Sequence, residues 1–245
     1  MNLPILIPLL ICILLVAILY SSVGHGGASG YIAVLALFSV EPAAFKPTAL
    51  VLNILVAAIA TYSFARAGHF SRRLFLPFAV TSIPCSFIGG YITLPPNVYK
   101  PLVGIILLAS AFRLAFHKGD EELTVQRPST PVALMVGAGL GLLSGLTGVG
   151  GGIFLSPLLL LLRWGHIREV SAVAALFILV NSIAGLLGHI SSLQAVPHFA
   201  PLLAAAALIG GIIGSFFGSR HLPVAGIVKT LSVVLTIAGF KLLLV

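Results

Sequence analysis

Apolar residues run along this chain in blocks of membrane-spanning length separated by short polar breaks. Leu3 to Tyr20, Leu74 to Leu94, Leu102 to Phe116 and Phe199 to Phe217 are each close to the roughly 20 residues that cross a bilayer core as a helix. Taken in order, the blocks predict five apolar segments in a first half, at 3–20, 27–39, 48–65, 74–93 and 98–116. Five more follow in a second half, at 131–147, 152–162, 170–188, 199–217 and 223–244. The second member of each set is too short for a straight crossing at about 1.5 Å per residue, and it directly follows a glycine cluster. It either crosses together with the unwound glycines or forms a re-entrant half-helix.

The two halves resemble each other. SVGHGGASGYIAVLAL, beginning at Ser22, has a counterpart in LTGVGGGIFLSPLLLL, beginning at Leu146, so that Gly24, Gly26 and Gly27 match Gly148, Gly150 and Gly151. Glu41 precedes Asn53 by twelve residues, and Glu169 precedes Asn181 by the same interval. Phe112-Arg113-Leu114 near the end of one half corresponds to Phe240-Lys241-Leu242 near the end of the other. The polar stretch between them, 118–130, reads as a linker joining a first transmembrane repeat, 1–117, to a second, 131–245.

Charge decides the number of crossings. If the short segments complete a crossing, one side collects ten of the thirteen basic residues, Arg66, Arg72, Arg73, Arg127, Arg163 and Arg168 among them, and leaves Lys46, Lys100 and Lys241 on the other. If they do not cross, the same thirteen divide six against seven and orient nothing. The expected fold is therefore an all-α polytopic membrane protein built as two inverted repeats of five segments, with the linker cytoplasmic and both termini outside.

Composition agrees: 59% of residues are hydrophobic and 7% charged, whereas soluble domains carry about 25% charged residues. The net charge of +8 is dispersed over short loops without an aromatic-interleaved basic stripe, which argues against nucleic acid as a partner. The lipid bilayer is the expected one. The first apolar run lacks a preceding Lys or Arg and an A-x-A-like cleavage site, and is read as a mature helix. Cys12 and Cys85 lie inside apolar runs away from metal-ligating neighbours, so they are read as packing residues, and no metal or cofactor is expected.

The glycine clusters carry the strongest chemical signal. Each glycine inside a helix costs about 1 kcal/mol, so Gly24-His25-Gly26-Gly27 and Gly148-Val149-Gly150-Gly151-Gly152 should unwind the chain. The half-helix after each cluster then offers free N–H groups and the positive end of its dipole. Two such ends meeting near the midplane would cradle a small anion. Close helix packing by small residues is the competing reading.

Asn53 and Asn181 should face the bundle interior, either donating to substrate or glycine carbonyls or hydrogen-bonding between helices. Ser29 and Thr147, with Ser21, Ser22 and Ser144, flank the clusters as hydroxyl donors or as helix caps. His25 is the one ionisable side chain in either cluster and the candidate for proton coupling or for a cationic anion contact, against a plain structural role. His189 and the other histidines fall near segment ends and read as interfacial. The five acidic residues all lie in loops or at segment ends, which leaves no midplane carboxylate and favours an anionic substrate; Glu41 and Glu169 are expected to pair with bases such as Lys46 or Arg168.

The repeated glycine-rich motif after a first helix, the paired asparagines of the third segment and the chain length resemble the TauE/SafE family, also called the sulfite exporter or 4-toluene sulfonate uptake permease family. That resemblance covers about Ile5 to Leu244. It implies a bacterial-type inner-membrane, multi-pass secondary transporter of small sulfur-containing anions such as sulfite, sulfoacetate or related sulfonates, or of organic acids. In that reading the substrate-binding residues are Gly24, His25, Gly26, Gly27, Ser29, Asn53, Thr147, Gly148, Gly150, Gly151, Gly152 and Asn181. His25 and Ala28-Ser29 stand where the second copy has Val149 and Gly152-Ile153, so the two sides of the site are chemically unequal. Two other classes are weighed against this one: a channel or non-transporting membrane subunit, and an intramembrane serine protease built on Gly27-Ala28-Ser29-Gly30 with His189 as base.

The topology has a direct test. With Cys12 and Cys85 removed, a cysteine replacing Phe70 should stay hidden from an impermeant thiol reagent in intact cells; labelling there would overturn the inverted-repeat reading.

Overall fold

The computed structural model describes residues 3–22, 24–115, 125–191 and 197–218, together with Thr236, Phe240, Leu243 and Leu244. Its described residues form nine α-helices and no strand: α1 (Leu3–Ser22), α2 (Ala28–Leu37), α3 (Phe45–Arg66), α4 (Arg72–Tyr91), α5 (Pro96–Ala115), α6 (Thr130–Thr147), α7 (Gly152–Leu161), α8 (Ile167–Ser191) and α9 (Ala200–Gly218). A short 3-10 helix, Pro42–Ala44, leads into α3. The nine segments expected from the apolar blocks through 199–217 are all present. The tenth, 223–244, and most of the linker lie outside the described residues.

Five of these helices are long and apolar enough to cross a membrane, namely α3, α4, α6, α8 and α9, and α1, α2 and α5 are apolar as well. Their outward faces carry large side chains such as Ile11, Leu15, Ile105, Met135, Leu187 and Ile212, which a soluble protein would bury. In lipid these residues need no cover, and the inward faces are free to specialise in close approach.

Small residues set the helix pairing. Gly137, Gly141 and Gly145, one turn apart on α6, face the Phe78 carbonyl, Ser82 and Ser86 on α4, where a Cβ would collide with backbone. The ascending order makes α4 and α6 parallel. Gly210 and Gly214 of α9 meet the Leu14 and Ile18 carbonyls of α1 in the same way, so α1 and α9 are also parallel. The first helix of each half thus packs along the fourth helix of the other. Hydroxyls add to this packing: Thr81 Oγ1 donates to the Leu134 carbonyl at 2.6 Å between α4 and α6, and Ser86 Oγ to the Asn181 carbonyl at 2.7 Å between α4 and α8.

The third helices cross at the centre. Gly24, just past α1, abuts Phe64 near the end of α3 and Ser171 near the start of α8, while Asn53 in mid-α3 meets Ser182 further along α8. Position 64 with 171 and 53 with 182 makes α3 and α8 antiparallel. From Gly24, beside the end of α3, the chain returns through unwound glycines and then α2 to the start of α3. The glycine loop and α2 together thus lead the chain back along α3 from its end to its start.

Two hydrophobic cores result. One gathers α1, α2, α3, α5 and α9 around Tyr31, Phe45 and Leu52, and the other gathers α4, α6, α7 and α8 around Phe78, Leu155 and Phe177. At one end Gln126 N–H donates to the Arg163 carbonyl, Arg127 donates to Ser71 and pairs with Glu169 at 3.0 Å, and Arg66, Arg72 and Arg168 stand nearby in sequence. Several of the basic residues expected to share a side thus share an end. Lys46 belongs to the opposite end.

Candidate functional site

The first glycine cluster begins as a helix stop. His25 N–H donates to the Tyr20 carbonyl at 2.9 Å and Gly24 N–H to Ser21 at 3.1 Å, with Gly24 left-handed at φ 75°, which is the Schellman arrangement closing α1. Gly27, at φ 98°, then starts α2 and offers no side chain to its first-turn N–H groups. The second cluster does the same with Gly148, at φ 76°, ending α6 and Gly151, at φ 75°, starting α7. Each following helix has 10 residues, or about 15 Å, which is half a bilayer core.

The two loops come from opposite ends of α3 and converge on one side chain. A Cβ at Gly26 would lie 2.5 Å from Asn53 Oδ1 and 2.9 Å from Ile178 Cγ2. A Cβ at Gly150 would lie 2.5 Å from Asn53 Nδ2 and 3.0 Å from both Ile178 Cγ2 and Ser182 Oγ. Asn53 is fully buried between them; its amide donates to the Val149 carbonyl and to Ser182 Oγ, each at 3.3 Å, while Oδ1 has no hydrogen-bond partner. A carboxamide with an unused acceptor, held between two half-helix N-termini, is a polar centre in an otherwise apolar bundle.

Other sequence-predicted residues have different fates. Asn181 is equally buried and its Oδ1 likewise has no hydrogen-bond partner, but its amide donates to the Phe177 carbonyl one turn back at 2.8 Å, and none of the nearest approaches to Gly26 or Gly150 involves it. Ser29 Oγ pairs with the Tyr20 hydroxyl at 2.8 Å, fastening α2 to α1 and giving the serine a phenol rather than a base as neighbour. Thr147 Oγ1 bonds back to Leu143 and accepts from Val149 N–H at 3.4 Å, bracing the second loop. Gly152 packs against Ile178, and Gly27 against Tyr31. His25 is half-buried in the first loop.

Two expectations are corrected. Glu169 does pair with a base, but with Arg127 of the linker rather than with Arg168. Lys46 turns to backbone carbonyls at the end of α4 rather than to Glu41. His189 stays in the last turn of α8, which runs three residues beyond the expected end to Ser191, and its side chain is buried there at 4% exposure. Ile178 and Ser182 went unnoticed in the sequence, although one turn before and one residue after Asn181 they are where a central α8 must face α3.

A cavity of about 610 Å³ opens at the arginine-rich end, lined by Gly68, His69, Phe70, Ser71, His166, Arg168 and Glu169. Phe64 and Ser171, which approach Gly24, lie about a turn from its lining residues in sequence.

The family model described as sulfite exporter TauE/SafE matches residues 9–242. A relative from Sinorhizobium fredii named "Probable membrane transporter protein y4hK" is 43% identical over 241 residues, covering 97% of this chain and 98% of its own. "Probable membrane transporter protein YunE" of Bacillus subtilis is 24% identical over 225 residues, 83% of this chain and 82% of its own. No solved structure matches the chain.

The two asparagines separate the roles by mutation. Asn53→Ala should cut transport by at least about tenfold, since it removes the polar centre. Asn181→Ala loses one hydrogen bond within its own helix and should transport within about twofold of the parent. Equal initial uptake rates in the two variants would contradict the assignment.

Proposed function

The chain belongs to the sulfite exporter TauE/SafE family of membrane transporters, and we propose that it carries small anions across the cell inner (plasma) membrane as a secondary transporter. The substrates are sulfur-containing anions such as sulfite, sulfoacetate or other organosulfonates, or organic acids. The observation that carries this reading is the convergence of Gly26 and Gly150 on Asn53, which brings the N-termini of α2 and α7 to one buried polar point.

The chemistry follows from the elements. An anion there meets two positive dipole ends, each contributing about 0.3–2 kcal/mol, together with first-turn N–H groups that no N-cap side chain engages. Glycines let the backbone approach an ion closely, and Ser182 Oγ, which accepts from the Asn53 amide, has its own O–H to donate at the ion's edge. The antiparallel crossing of α3 and α8 supports an inverted repeat, in which rocking one half against the other exposes a central site to each side in turn. In this reading the cavity at the arginine-rich end is where substrate enters from that side. His25, on the loop that carries Gly26, is the proton-coupling residue of this reading. Its protonated imidazole would favour an anion, so binding weakens as pH rises through the range in which histidine titrates.

Counterflow in proteoliposomes tests the function. Vesicles preloaded with sulfite, thiosulfate, sulfoacetate, sulfate or small carboxylates should accelerate uptake of labelled substrate saturably for at least one of these anions. Non-saturating flux with no trans-acceleration would indicate a channel. In the same assay His25→Gln should flatten the pH dependence once substrate ionisation is corrected for, and an unchanged profile would remove His25 from the coupling mechanism.

A further inference from the structure

Lys46 is the buried member of the lysines and arginines among the described residues, with 7% exposure. It stands in the first turn of α3. Its ammonium donates to the carbonyls of Gly89 at 3.2 Å, Gly90 at 2.8 Å and Ile92 at 3.0 Å, at the C-terminal end of α4. Three acceptors use all three N–H groups, yet each is a neutral carbonyl. The partial negative end of one helix thus faces a full charge that burial has taken out of water.

Its position links this charge to the central site. Gly148 packs directly on it, for a Cβ there would lie 2.9 Å from Lys46 Cα and 3.2 Å from its Cγ. Lys46 precedes Asn53 by seven residues, which is two helical turns, and so lies on the same face of α3. Tyr99 adds a second tie at this end by donating its hydroxyl to the Thr147 carbonyl at 3.0 Å. The arrangement is one-sided: the residue related to Lys46 by the 128-residue interval between Asn53 and Asn181 is Ala174, and the cavity lies at the other end.

We propose that Lys46 is both the counter-charge and the lock on the side of the path opposite the cavity. With the path empty, the ammonium holds the last turn of α4 against the second glycine loop. A small anion moving from Asn53 toward this end offers a formal negative charge, draws the ammonium from its carbonyls and frees that turn of α4. This inference rests on the small-anion reading given above.

Three substitutions separate a charge from a cap, with sulfite as the probe in proteoliposome counterflow. Lys46→Arg should keep sulfite counterflow with a half-saturation within about threefold of the parent, whereas Lys46→Gln and Lys46→Met should raise it by at least about tenfold. A purely structural cap would be served by Gln, which retains N–H donors, so parental half-saturation in Lys46→Gln overturns the proposal. Should Gln and Met fail to insert, hydrogen exchange on the parent protein decides the matter. Saturating sulfite should speed exchange severalfold across Gly89 to Leu94, and unchanged or slower exchange there overturns it. If the parent shows no counterflow or binding with any anion, the small-anion reading falls and this inference with it; parental transport with an unaffected Gln variant removes Lys46 alone.

Discussion

Hydrocarbon offers no partner to a peptide N–H or C=O, so every backbone group at membrane depth must be satisfied within the protein. The helices meet this rule by themselves; the two glycine loops cannot, and the architecture is arranged around them. Gly24 and Gly148 end their helices in left-handed conformations, the first returning its N–H groups to the preceding turn, and Gly27 and Gly151 begin the half-helices. The loops are then packed inside the bundle against α3 and α8, with Asn53 donating to Val149 in the second. The long helices enclose a polar interruption that lipid would not tolerate.

Enclosure also accounts for the asymmetry between the halves. Two similar loops compete for one central volume, and one side chain, Asn53, occupies it, while Asn181 retreats to a carbonyl on its own helix. Lys46 has no counterpart in the second half, where Ala174 stands. In the proposed inverted-repeat reading, the two half-helix N-termini belong to related halves whose surroundings differ at the two ends, and alternating access would use that difference by opening the ends at different times.

Helix boundaries were legible because apolar runs and glycine breaks both report on lipid. All nine described helices begin and end within three residues of the expected limits. The largest departures, three residues each, are both ends of α8 and the start of α3, where Pro47 is accommodated in the first turn and the helix reaches back to Phe45 with the 3-10 turn before it. The glycine clusters were also legible as broken helices. Distinguishing Asn53 from Asn181 was not, since both occupy the same place in the repeat and only the packing of α3 on α8 decides which one lies between the loops. Lys46 was misread for a related reason: charge in a sequence suggests a carboxylate partner, whereas helix C-termini present unpaired carbonyls that no residue letter encodes.

In the proposed mechanism the glycine loops and Asn53 hold a small anion together. Selenite, the selenium analogue of sulfite, makes this directly observable by anomalous diffraction from crystals grown with it. A selenium peak is expected between the N-termini of α2 and α7, within hydrogen-bond reach of their first-turn N–H groups and beside Asn53. A protein that transports sulfite yet shows selenite only elsewhere, for instance in the cavity lined by His69 and Arg168, would contradict it.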